Sequence, residues 1–432
     1  MNDGVLDGTM RRLARLLLPD GALRSALRVR VSRLLRWVRP ALGRPGAVPS
    51  ATQRPLPASS LPDYIVWAVI DWHLRIQRPQ HLALELARSG RRVFYVSCRL
   101  VDESVPGFRV EPLDGEGRLF QIFFQVRNAP QIYSASLQEA GQDQLRDGIR
   151  MLLDWGEIVE PISLVEHPFW FGAARSVPGG HLIYDRMDLH EGFGTFSEGM
   201  GEAERELMSV ADLTIVSSAW LDEDSARYTE RRMMLRNAGE FEHFAPLPEA
   251  PVRDTAGRRI IGYYGAIAGW MDLDLVEAVA ARFSDCLIML VGHDQCRASS
   301  RLRRFRNVRL TGEVPYDQLP RFLHGFDVCI LPFKVIPLTE ATNPVKIYEY
   351  LSAGKPVVAV DLPEMSIFGD LVHLASGRRE FLEAIAVGLA EPADSPQRRR
   401  RRWFSERQTW AHRAALLIAE VESLGTSTAR TP

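Results

Sequence analysis

Three observations predict an α/β protein made of two Rossmann-like, doubly wound parallel-sheet domains facing a cleft. Apolar runs of strand length alternate with amphipathic helical stretches from Tyr64 onward, the pattern of repeated strand–helix–strand units. The alternation closes near Pro246 and starts afresh at Ile260, so it comes in two blocks. A chain of 432 residues at 46% hydrophobic and 25% charged composition is long enough for two separate cores.

The first block, residues 61–250, opens with the strand run YIVWAVI from Tyr64. Pro79 then starts the helix PQHLALELARSG, and RRVFYVS returns as a strand. The runs LFQIFFQV, PISLVEH, HLIYD and DLTIVSS continue the pattern. The first strand-to-helix loop, DWHLRIQRPQ, carries Arg75 and Arg78 at a strand's carboxyl end, where open α/β sheets bind ligands. Either arginine faces such a ligand or, for Arg78 especially, pairs with an acid on the neighbouring surface. After HLIYD, the segment RMDLHEGFG places Asp185, Asp188, His190 and Glu191 at a second strand end. That cluster supplies a base for an acceptor hydroxyl or caps the next helix. Asn237 and Gly239, in RNAGEFEHF, read as turn residues.

The second block, residues 258–404, begins with IIGYYGAIAGW, where Gly265 ends a strand and lets backbone approach a ligand. Asp272 and Asp274 start the helix that carries Leu275, Val276, Val279 and Phe283. CLIMLVGH and VRLTGEVPYDQLPRFLHGFDVCILPF extend the sheet, and a final helix, within 405–424, reads QTWAHRAALLIAEVESL. Between them lies EATNPVKIYEYLSAGKPVVAVDLPE, from Glu340 to Glu364. Asn343 is an expected N-cap, with Pro344 in the first helical position, Gly354 as the stop and Val357–Val360 as a buried strand. Lys346 sits in the first turn, where the helix dipole opposes a cation and Lys before Glu349 is the poorer order for an ion pair. An anion bound there reconciles the lysine with the dipole. Of 53 basic residues only Lys334, Lys346 and Lys355 are lysines, and all three fall in this neighbourhood. The run Arg398–Arg402 reads as a solvated face.

A net charge of −1 gives no reason to expect nucleic acid, but the charge is uneven. Residues 1–60 hold eleven arginines against Asp3, Asp7 and Asp20, a net of +8. Within them, residues 10–38 interleave Arg with Leu, Val and Trp37, which suits a basic amphipathic helix on an anionic membrane surface or an arginine-rich tail. Residues 40–62, with six prolines, form a linker. No apolar run reaches the roughly 18 residues of a spanning helix, and Cys98, Cys286, Cys296 and Cys329 show no ligand or disulfide spacing. The expected location is the cytoplasm, peripheral to the inner face of the plasma membrane.

The stretch Glu340–Glu364 closely resembles the donor-binding motif of retaining GT-B glycosyltransferases of the group 1 type, and the likeness extends from Tyr64 to Leu424. The resemblance implies a GT-B fold and transfer of a sugar from a nucleoside diphosphate to a hydroxyl of a glycan or lipid-linked acceptor. It also implies retention at the anomeric carbon and no required cofactor or metal. By it, Glu349 holds the ribose hydroxyls, Gly265 faces the diphosphate and backbone around Val314 meets the base. The motif's first glutamate is replaced by Ala341, with Glu340 beside it. In relatives lacking that glutamate a Thr/Ser-Asn-Pro-x-Lys turn appears, which assigns Thr342, Asn343 and Lys346 to the diphosphate. Asp188 and His190 then stand near the reacting sugar, Lys346 assists the leaving group, and Arg75 and Arg78 fall on the acceptor side. RNAGEFEHF resembles the segment that leads to the interdomain hinge, and the final helix the one that crosses back to the first domain. A GT-B-fold sugar-nucleotide epimerase or hydrolase, or a non-catalytic nucleotide-sugar-binding protein, would carry the same donor motif.

Overall fold

The computed structural model describes residues 57, 60–194 and 198–425, so the basic segment 10–38, expected to meet a membrane surface, lies outside the described residues. The first sheet has eight strands, β1 (Tyr64–Trp67), β2 (Val93–Val96), β3 (Gly107–Pro112), β4 (Leu119–Gln125), β5 (Ile162–Val165), β6 (His181–Arg186), β7 (Leu213–Val216) and β8 (Arg232–Met234). Their order is β3-β4-β2-β1-β5-β6-β7-β8. Every residue of β1, β2, β5 and β7 is buried, because helices cover both faces of a parallel sheet and leave no solvent side for polar alternation. The period of two still sorts side chains. Ile65 and Trp67 join one core, with Phe94 and Phe124, whereas Tyr64 and Val66 join the other, with Val93 and Tyr95.

The second sheet contains β9 (Ile260–Tyr264), β10 (Leu287–Val291), β11 (Val308–Gly312), β12 (Val328–Leu331), β13 (Val357–Val360) and β14 (His373–Ala375), in the order β11-β10-β9-β12-β13-β14. All its pairings are parallel, with Leu287 opposite Ile260 and Cys329 opposite Val357. In both sheets the chain runs outward to one side and then restarts beside its first strand, β5 next to β1 and β12 next to β9. Each sheet thus has a topological switch point, and the crevice at its carboxyl edge is where such folds bind ligands.

The expected strands are present, but three edge strands were not anticipated. β3 pairs antiparallel with β4 from Gly107 opposite Gln125 to Pro112 opposite Phe120, so the first sheet is not wholly parallel. β8 and β14 are three residues each, too short to carry a period. The run Arg398–Arg402 is also not simply a solvated face. Arg401 is 0% exposed, donates two bonds to Glu391 and one to the Leu371 carbonyl, and so ties its helix to the turn before β14 and to the end of the helix Arg378–Ala390. Arg402 donates to the Ala245 and Ser352 carbonyls.

The last helix, Trp410–Ser423, crosses back to the first sheet. Its Trp410 ring stacks on His81 of the helix Arg78–Arg88 at 5.0 Å, and Leu417 enters the core with Tyr64 and Val66. Among the described residues no helix is long and apolar enough to cross a membrane.

Candidate functional site

The site forms where strand ends of the two sheets meet the helix Val345–Ser352. Strand β9 ends at Tyr264, and Gly265 follows with φ +132, a conformation that side chains rarely adopt. A Cβ on Gly265 would lie 2.0 Å from Cε of Lys346 and 2.8 Å from its Nζ. Only glycine lets the lysine lie flat on this backbone, which brings the ammonium to the strand end. Burial pulls the Lys346 ammonium down from its ordinary value; the carboxylates of Glu349 and Asp188 favour its charge and the Arg75 guanidinium opposes it. Lys346 and Glu349 come from one helix, Asp188 and Arg75 from the first sheet's loops. The charges from both halves therefore act on the Lys346 ammonium.

Glu349 is 6% exposed, and its Oε2 accepts a hydrogen bond from the Tyr264 hydroxyl at 2.8 Å. Burial pushes its carboxyl up to about 7, against the lowering pull of Tyr264 and Lys346. Asp188 is half-buried beyond β6, and burial pushes it also to about 7. His190 lies deeper. Its ring meets that of His167 edge-on at 4.9 Å, is hydrogen-bonded to the Glu166 backbone and is held neutral by burial, with a pKa of about 4. Of the two expected candidates, Asp188 is thus the one that acts on Lys346.

Val314 is half-buried in the loop after β11, ahead of Tyr316. The Tyr316 hydroxyl donates to Glu240 at 3.0 Å, and its ring stacks on His243 at 4.7 Å. Thr342 is half-buried and donates its hydroxyl to the Leu338 carbonyl at 2.6 Å.

Two expectations are corrected. Asn343 does not cap the helix, whose N-cap is Pro344 and whose first residue is Val345. The Asn343 side chain is 1% exposed and fully engaged. Its Oδ1 accepts from the Asn237 amide at 3.0 Å and the Tyr348 hydroxyl at 3.1 Å, and its Nδ2 donates to Glu364 at 3.0 Å. It binds the two halves together rather than a phosphate, and Asn237 is its partner rather than a turn residue. Arg78 is 2% exposed and makes a bidentate pair with Asp185, both bonds 2.8 Å, while also donating to the Leu235 carbonyl and Asn237. With those donors spent inside the fold, it anchors the first sheet's edge instead of meeting an acceptor.

Sequence reasoning missed Glu364, which accepts from the Ala219 amide at 2.7 Å and from Arg236 at 2.8 Å as well as from Asn343. Its ligands come from three places far apart in the chain, so no local pattern marks it. Tyr264, partner of Glu349, was also missed. A tyrosine beside a strand-end glycine is the available signal. Among the described residues no group of three or more His, Cys, Asp or Glu converges on a metal position.

Residues 258–390 match the family described as "Glycosyl transferases group 1". Over 252 residues, 53% of this chain, the sequence is 26% identical to the "Putative teichuronic acid biosynthesis glycosyltransferase TuaH" of Bacillus subtilis strain 168, and it spans 64% of that relative's length. Sucrose-phosphate synthase from Thermosynechococcus elongatus superposes with a TM-score of 0.66 at 14% identity, covering 84% of this chain and 99% of that one. Anabaena HepE, solved in complex with UDP and glucose, superposes with a TM-score of 0.60 at 13% identity, covering 84% and 100%. Identities this low speak to the fold, and they agree with two largely parallel sheets whose carboxyl edges meet at a cleft. The chain therefore has the GT-B fold and carries, at residues 258–390, a group 1 glycosyl transferase domain.

Proposed function

We propose that the protein transfers a sugar from a nucleoside diphosphate-sugar to a hydroxyl of an envelope glycan or lipid-linked acceptor, with retention. The observation that carries this reading is Lys346 lying against the bare backbone of Gly265, with the Asp188 carboxylate favouring its charge. In the reaction the bond from the anomeric carbon to the β-phosphate oxygen breaks, and its electron pair leaves on the diphosphate. Lys346 meets that charge in a half-buried site, where a placed cation is worth more than in water. Glu349 accepts the ribose hydroxyls from the other end of the same helix turn, and the backbone around Val314 faces the base. Asp188, with a pKa of about 7, takes the proton of the acceptor hydroxyl as its oxygen bonds to the anomeric carbon.

The relative's name supports an envelope polysaccharide as the acceptor class. The arginines within residues 10–38 would hold the enzyme at an anionic inner membrane surface, each worth about 1 kcal/mol there.

The test incubates the full chain with UDP-, GDP-, ADP- and TDP-sugars, with and without envelope glycan and lipid-linked acceptors. Nucleoside diphosphate release that depends on acceptor, with the sugar recovered on it, is expected. Release to water or epimerisation without acceptor, or donor binding with no turnover, would contradict transfer.

A further inference from the structure

We propose that Arg75, on the first sheet's β1 loop, is the second cation of the donor diphosphate site, and that Glu313 competes with the diphosphate for it. The inference rests on the donor site read above and extends it to the opposite half of the molecule.

The diphosphate carries more than one negative charge, yet the second half supplies one cation to Gly265. Lys334 donates to the Gly269 carbonyl at 2.7 Å on the exposed side. Lys355 is buried and donates to the carbonyls of His324 and Phe326. The loop after Gly265, from Ala266 to Asp274, contains neither Arg nor Lys. A further cation can therefore come from across the cleft.

Arg75 is placed to give it. Its Nε donates to Oε1 of Glu313 at 2.5 Å, a contact between halves, with the two side chains 29% and 34% exposed. Glu313 directly follows Gly312, which ends β11, and the Gly312 carbonyl accepts from the Gly292 amide at the end of β10. Gly265 lies beside Gly292, its own amide bonded to the Val291 carbonyl. Three adjacent strands of the second sheet thus end in glycines, and a Cβ on Gly312 would meet nothing within 4 Å. Backbone without side chains lines this edge from Lys346 to Glu313, and Arg75 lies at its far end. The Arg75 charge already reaches Lys346 and Tyr263, both of which touch Gly265.

The backbone of the loop holding Arg75 is tied down. Gln80, 1% exposed, donates to the Arg75 carbonyl at 2.6 Å and to the Asp71 carbonyl at 3.2 Å, fixing both ends of the turn. A preorganised arginine loses little entropy on binding a phosphate, and its planar fork suits one. The Arg75–Glu313 pair is solvent-accessible and so weakly held. A diphosphate on the glycine edge offers Arg75 a stronger, charge-assisted partner and displaces Glu313.

Calorimetric titration of UDP, GDP, ADP and TDP, then of the matching nucleoside, into the full chain tests this. Arg75→Ala should weaken binding of the preferred diphosphate by about tenfold or more while leaving the nucleoside unchanged. Glu313→Gln should tighten the diphosphate by about twofold to fivefold, because its competitor is gone. The double variant should behave as Arg75→Ala. If Arg75→Ala binds the diphosphate as wild type does while Lys346→Ala does not, the Arg75 role is overturned and the donor site stands. If wild type binds none of the four, the donor reading itself fails. A Glu313→Gln variant that binds more weakly would overturn the competition.

Discussion

Lys346→Ala is expected to lower transfer by about 10²- to 10³-fold, the usual cost of removing one preorganised group that stabilises developing negative charge. The same change should weaken nucleoside diphosphate binding by roughly 1.5–3 kcal/mol and leave nucleoside binding nearly intact. The asymmetry follows from position. Lys346 lies against Gly265, whereas Glu349, one turn on, points to the Tyr264 hydroxyl. A lysine that merely stabilised its own helix would be worth only about 0.2–0.5 kcal/mol as an exposed pair. The helix dipole makes even that contribution unfavourable in a first turn. Steady-state kinetics with the preferred donor, beside titrations of the diphosphate and the nucleoside, check both parts. Wild-type turnover in the variant would remove Lys346 from the chemistry.

Asp188→Asn should lower kcat by about 10²- to 10⁴-fold, the range for loss of a general base, with little change in donor affinity. Its pH signature is specific. The carboxyl ionises near 7 in the folded protein, so wild-type kcat should climb as pH rises toward 7 and level off above it. The variant should lose that rise in kcat. Glu349, which also ionises near 7, stays in place, so the acid-side fall in donor binding should persist. Stability provides a second readout. Burial raises Asp188 from 3.8 to about 7, so the folded state keeps a proton that the unfolded chain has already released. That contribution is full below about pH 4 and is lost as pH rises through about 7. Denaturant midpoints of Asp188→Asn should therefore fall less than those of wild type between pH 4 and pH 8. Equal pH dependence in both proteins, with wild-type kcat, would return Asp188 to a capping role.

What could be read from the chain depended on how local each physical cause was. The long strands were legible because burial on both faces makes them continuous apolar runs, as in VFYV and LIMLV. Lys346 and Gly265 could be marked as candidates because each stands out in its own segment, as a cation in a first helical turn and a glycine closing a strand, whereas Glu349 was marked only through the family resemblance. Asn343 was misread as a cap, and Arg78 was left between a ligand and an acidic partner, for the opposite reason. The residues that satisfy them lie 106 and 107 positions away, at Asn237 and Asp185, and only the fold brings them near. Arg75 is intermediate. The strand-end rule found its loop, but its partner Glu313 is 238 positions on, and only the fold brings the two together. The five-arginine run misled because sequence does not show that Arg401 points inward at Glu391 while its neighbours do not.

A nucleotide sugar bound on the glycine-lined edge of the second sheet, beside Lys346 and Glu349, should shield that edge from solvent. Hydrogen–deuterium exchange of the full chain, with and without a saturating concentration of its preferred nucleoside diphosphate, tests it most directly. Protection is expected in peptides containing Gly265, Gly312 to Val314 and Val345 to Glu349, and in the Arg75 loop. The surface around Trp403, which is 60% exposed and lies beside a recess lined by Phe368 and Arg399, should exchange unchanged. Protection confined to that surface, or binding that leaves the Gly265 and Lys346 peptides as they were, would contradict the account.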